Sequence, residues 1–145
     1  MAAKYSLGLR NALAVTGSLK NQLDGCFLRL YAGTAPASPN DAIGAATLLC
    51  EISNGGAGGT FEATASDGTL VKSTSETWSG NNVASGTATF FRLVKTGDAG
   101  DASTSAIRIQ GTVGVGGVDM QMTNPTLVSG APQAFDYFYL TMPEQ

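Results

Sequence analysis

"TATFFRLVKTGDAGDASTSAIRIQGTVGVGGVDMQM" spans Thr87–Met122. Its apolar residues alternate, give way to a polar loop bearing Gly97 and Gly100, and then alternate again. A period of two marks a strand with one buried face, so the stretch predicts strands at 87–95 and 105–113. Arg92 and Arg108 fall at the centres of these strands. Outward from this pair the same period recurs. "CFLRLYA" sets Cys26, Leu28 and Leu30 against Phe27, Arg29 and Tyr31, and "TLLCEIS" reads as a second short strand. Weaker strands are expected at 69–73, 76–79 and 118–122. "AFDYFYLTM" (134–142) closes the chain, with Phe135, Tyr137 and Tyr139 on one face and Asp136, Phe138 and Leu140 on the other.

Residues 6–23 carry the one helical stripe: Leu9, Ala12, Leu13, Val15 or Thr16, Leu19 and Leu23. Ser6 can cap its start and Asp24-Gly25 ends it. Gly8 and Gly17 each cost such a helix about 1 kcal/mol relative to alanine, so it needs outside contacts to persist. It either packs on its own domain or reaches out as an arm. The expected fold is therefore all-β: an antiparallel sandwich or jelly roll of about eight short strands after one short amino-terminal helix. The 145 residues suit one domain, with a helical segment at 1–25 and the sandwich at 26–145. The linkers are too short and glycine-rich for crossover helices, which excludes a parallel α/β fold.

The chain has no histidine, so Ser-His-Asp and Cys-His sites cannot be built. Cys26 and Cys50 have no zinc spacing, and each lies in an apolar stretch that favours a buried free thiol. Asp98 and Asp101 lack the ligand pattern of a calcium loop and read as a solvated hairpin turn. The glycine runs "NGGAGGT" (54–60) and "GTVGVGG" carry no phosphate-loop lysine. The first of them is expected to be a flexible hairpin tip or exposed loop. Eight Lys and Arg against eleven Asp and Glu give a net charge of −3, and no basic stripe is present to meet nucleic acid. No segment approaches the roughly 20 apolar residues of a membrane span. No secretory leader is recognisable, which points to synthesis in the cytosol.

Trp78, beside Asn81 and Asn82 and with Tyr31, reads either as a sugar-stacking platform or, preferably, as a strand-end aromatic on the core. Arg29, Arg92 and Arg108 share the contexts "LRL", "FRL" and "IRI". They form either an outward row covering apolar surface with their stems, or a row that meets carboxylates of a neighbouring subunit.

Several stretches together resemble small virion structural proteins of tailed bacteriophages, of the jelly-roll head decoration (cement) type. They are the "LRN" turn, "LRLYAGTAPASP", "ETWSG", "TATFFRLV", "IRIQGTVG" with "VDMQM", and "FYLTMP", and the likeness runs from Tyr5 to Pro143. The resemblance implies a non-enzymatic protein, without cofactor or metal, made in the bacterial host cytoplasm and carried on the capsid surface. It implies the major capsid protein, or another virion protein, as partner and a homo-oligomer, dimer or trimer. Contacts are then expected from Leu9, Arg10 and Leu13, from the 33–41 loop with Pro36, and from Arg29, Arg92 and Arg108. The other expectation is a glycan- or host-surface-binding module of a tail fibre or capsid.

Overall fold

The computed structural model describes residues 3–63 and 68–141. Its framework is a large sheet that begins with the expected alternating segments. These are β2 (Cys26–Ala32), β3 (Thr47–Asn54), β7 (Phe90–Lys95) and β8 (Arg108–Gly114). β1 (Lys4–Tyr5), β5 (Trp78–Asn81) and β11 (Pro132–Phe135) complete the order β1-β8-β7-β2-β3-β5-β11. All these pairings are antiparallel, and β9 (Met120–Gln121) adds to β8 in parallel. Two ribbons stand apart: β6 (Gly86–Thr87) with β10 (Thr126–Leu127), and β4 (Thr69–Val71) with β12 (Tyr139–Thr141). The all-β antiparallel sandwich expected from the periodicity is the fold. Several extra strands, two residues long, carry too little alternation to be read from sequence.

Strand parity assigns the faces. Leu28 and Leu30 lie opposite Leu93 and Phe91, and Leu93 lies opposite Ile109, which puts these side chains on one face. The ribbons close over that face with Leu70, Phe138, Leu140 and Leu127, and the whole set forms one core. Within it Phe61 meets Trp78 edge-on at 5.6 Å between centroids, and Phe138 meets Phe91 likewise at 6.3 Å. Such edge-to-face pairs add about 0.5–1.5 kcal/mol beyond their burial.

"NGGAGGT" makes the expected exposed hairpin tip at Gly55–Ala57 and then turns inward. Gly55 and Gly56, at φ of 63° and 94°, make the tight turn that bonds Asn54 to Ala57. Gly59 is buried, and a Cβ there would stand 2.6 Å from Trp78 Cζ2. The Gly59→Ala variant is expected to lose about 1–3 kcal/mol of stability through overpacking, seen as a lower urea midpoint at unchanged slope.

The amino-terminal helix is two helices. α1 (Leu7–Val15) ends at Thr16, and α2 (Leu19–Leu23) starts afresh on Ser18, whose hydroxyl accepts from the Asn21 N–H. Ser6 caps α1 as expected, accepting from Leu9 N–H. Gly17 and a second capping serine outweigh continuation of the stripe, because a cap satisfies donors that glycine's entropy cost leaves weakly held. The segment is no detached arm. β1 pairs with β8, and Leu9, Leu19 and Leu23 lie inside the core.

Candidate functional site

The sheet's other face carries the arginines. Arg29 lies directly across from Arg92, Arg92 across from Gln110, and Arg108 two residues before Gln110 on the same face. They do form a row. It does not face solvent, however: Arg92 is 0% exposed and Arg108 2%. A strap, residues 33–43, crosses above them. Pro36 and Pro39 lack N–H groups, so the strap cannot be a ladder strand, and its carbonyls take their donors from below. Gln110 Nε2 donates to Pro36 O at 2.7 Å, Arg108 Nη1 to Pro39 O at 3.0 Å, and Arg92 Nη2 to Asp41 O at 2.8 Å. Lys4 Nζ reaches Ala37 O, and Asn40 Oδ1 accepts from the Leu7 N–H, so strap, β1 and α1 are stitched together.

Asp98 completes this layer. Arg108 Nε and Nη2 donate to its two oxygens at 2.7 and 2.8 Å, and Gly100 N–H donates as well. Burial alone would raise the Asp98 carboxyl, but the Arg108 guanidinium and the Gly100 amide outweigh it and hold it below the usual carboxylate range. The expected solvated turn holds at Thr96, Gly97, Ala99 and Asp101, which are exposed, but the Asp98 side chain, 7% exposed, is drawn into a buried ion pair. Arg29 pairs with Glu51 at 2.7 Å and is half-buried. Arg92 makes no carboxylate pair and leaves Nη1 unpartnered; burial first, then Arg108, lower its pKa.

These placements redistribute the expected contact residues. Leu9 is core and Leu13 packs against it. Pro36 is half-buried with its carbonyl engaged, and Arg92 and Arg108 hold the strap and are closed to a partner. Arg10 alone of the seven is exposed. The sugar platform is overturned too: Trp78, Tyr31 and Asn82 are buried. The Trp78 ring sits among Phe61 and Phe138, and its Nε1–H donates to Glu76. Tyr31 stacks on Phe90 at 5.0 Å.

Cys26 and Cys50 are free, buried thiols, as the apolar contexts suggested. Burial pushes them up to about 12 and about 11. A thiol-disulfide reagent at pH 8 is expected to label neither in the folded protein and both in urea. The sign of the pH effect follows. Folded thiols hold their protons more tightly than unfolded ones near 8.5, so this stabilisation is full below that pH and is lost as pH rises towards 11–12.

Apolar side chains outside the expected contact set also reach solvent. Tyr137 is 83% exposed and Tyr139 is exposed beside it, while Phe138 and Leu140 of the same segment are buried. Among the described residues β12 pairs only with β4. "AFDYFYLTM" is thus two strands in different sheets, with Met142 outside the described residues. Phe135 packs on the core, and the phase shifts between it and Tyr137. Val83 and Val128 add a second exposed apolar pair on adjoining loops, joined where Asn82 Nδ2 donates to Val128 O. No group of three His, Cys, Asp or Glu among the described residues is placed to hold a metal, and no described helix is long and apolar enough to cross a membrane. Comparison with protein-family models, curated proteins and solved structures finds no match to this chain.

Proposed function

We propose that this protein is a bacteriophage virion structural protein that decorates the assembled head as a homo-oligomer and stabilises it by binding, without chemistry of its own. The observation that carries this reading is the exposed pair Tyr137 and Tyr139, at and beside β12, a strand that among the described residues pairs on one side alone. Unpaired edges and exposed aromatics are what natural proteins otherwise cover, and both suit contacts with other chains. The buried arginine layer supports it, because a strap fixed to the sheet loses little entropy when a partner binds. The sequence stretches resembling phage decoration proteins supply the kind of partner, the major capsid protein.

A specific interface needs roughly 1,200–2,000 Å² in all, and repetition over a shell multiplies modest contacts through avidity. Binding to the assembled shell and not to free subunits then shifts the assembly equilibrium by mass action. Quantitative mass spectrometry of purified particles of the virus encoding this chain is expected to count hundreds of copies per head. A handful of copies would place it in the neck or tail, and absence from mature particles would remove the reading.

A further inference from the structure

We infer that Asn54 is a site of spontaneous covalent modification, at which the main-chain nitrogen of Gly55 displaces ammonia from the Asn54 side chain. The reaction needs an unengaged main-chain amide directly after an asparagine, in open space and unshielded by a side chain. β3 ends at Asn54, and the turn Gly55-Gly56 returns the chain to Ala57. Positive φ at both glycines gives the tight hairpin turn whose twist matches its strands. Gly55 is exposed, and beyond its chain neighbours nothing lies within 4 Å of where a Cβ would stand. Among the described residues nothing accepts a bond from its N–H, whereas the Gly56 N–H is held by Ser53 Oγ at 3.0 Å.

At every other asparagine the amide that follows is engaged or missing. The Gln22 N–H after Asn21 donates to Ser18 O, and the Asp41 N–H after Asn40 donates to Ser38 O. The amides after Asn81 and Asn82 donate to Ala131 O and Leu49 O. Asn11 lies inside α1, and Asn124 precedes a proline, which has no N–H. Asp24-Gly25 shares the chemistry in its acid form, but its Gly25 N–H is taken by Gly59 O at 2.8 Å. Open geometry therefore singles out Asn54.

The Gly55 nitrogen gives its proton to water and bonds Asn54 Cγ; the Cγ–Nδ2 bond breaks and ammonia leaves with a proton. Water then opens the cyclic imide at either carbonyl carbon, and the nitrogen regains a proton. The products are aspartate, or isoaspartate with the main chain routed through Cβ and Cγ. Net, an amide and water become a carboxylate and ammonium. The rung between Asn54 and Ala57, with bonds of 2.9 and 3.1 Å, holds the backbone extended, so attack proceeds as this terminal rung frays. Damage reaches the core from here. Asn54 lies opposite Trp78, and past Ala57 the chain sets Gly59 and Phe61 against the Trp78 ring. Aspartate preserves that path, whereas isoaspartate adds a methylene to the main chain and displaces it.

Incubation of the full chain at pH 8 and 37 °C, followed by ion exchange and peptide mass spectrometry, tests this. A more acidic species is expected, heavier by the difference between a hydroxyl and an amino group, mapping to Asn54. Asn54→Gln, which would need a larger ring, and Gly55→Ala, whose Cβ shields the nitrogen, are expected to lose it. Asn54→Gln keeps the parent turn and so controls for the strain alanine meets at a φ of 63°. The separated isoaspartate form should melt several degrees below both the parent and Asn54→Asp. No acidic species, or one mapping first to another asparagine, overturns the assignment. Conversion of Asn54 undiminished in Gly55→Ala also overturns it, by making direct hydrolysis the route. An isoaspartate form that melts with the parent overturns the link to the core.

Discussion

Replacing Arg108 by alanine is expected to lower the unfolding free energy by about 3–5 kcal/mol, the cost of stranding one member of a buried pair. Asp98 would keep a single Gly100 amide, and the carbonyls of Pro39 and Asp101 would lose their donor. Against a total of about 5–15 kcal/mol for a domain of this kind, the variant should be marginal at 37 °C. Urea titration followed by tryptophan fluorescence measures it, since Trp78 is buried in the native state. The double variant Arg108→Met/Asp98→Leu removes both charges and should recover part of the loss. If it is no more stable than Arg108→Ala, lost strap contacts dominate over the stranded carboxylate. The pair also sets an acid limit. The folded Asp98 carboxyl lies below its unfolded value, so its contribution is present above about pH 4 and disappears as pH falls through the folded pKa. In Arg108→Ala that part of the acid sensitivity should vanish.

Deleting residues 1–23 is expected to abolish cooperative folding. The deletion strips Leu9, Leu19 and Leu23 from the core, and truncating a single such leucine to alanine costs about 2–5 kcal/mol. It also exposes the β8 edge that β1 covers at Gln110 and Ile109, and frees the strap from Lys4 and Leu7. Far-ultraviolet dichroism and a broadened, low-slope urea transition are the expected readouts. A truncated protein that melts sharply near the parent temperature would show that the sheet and ribbons suffice. Single Leu23→Ala, expected to fold but with a loss of about 2–5 kcal/mol, separates core loss from gross misfolding.

How far the sequence revealed this molecule depends on the scale of the determinant. Period-two segments announced β2, β3, β7 and β8 and assigned Cys26, Leu28 and Leu30 to the core side, because burial on one face writes itself directly into alternation. The fate of Arg92 and Arg108 could not be read that way. Three of their acceptors are backbone carbonyls of the strap, up to 69 residues distant, and a carbonyl leaves no mark in the residue alphabet. The proline pair in "GTAPASPNDAIGAA" was the available signal, as a loop that cannot pair yet must satisfy its oxygens. Among the contact candidates, helical spacing alone separates Arg10 from Leu9 and Leu13. The exposure of Tyr137 and Tyr139 depends on a change of phase after Phe135 that only the two separate ribbon partners explain.

The register of β1 against β8 sets a timetable for biogenesis. Ser6 engages Arg108 across 102 residues of chain, so the α1 segment is synthesised well before its seat on β8. During translation its leucines must wait without a binding groove, a condition that invites chaperone capture and slows maturation. Refolding from urea should accordingly show α1 burial as the late step.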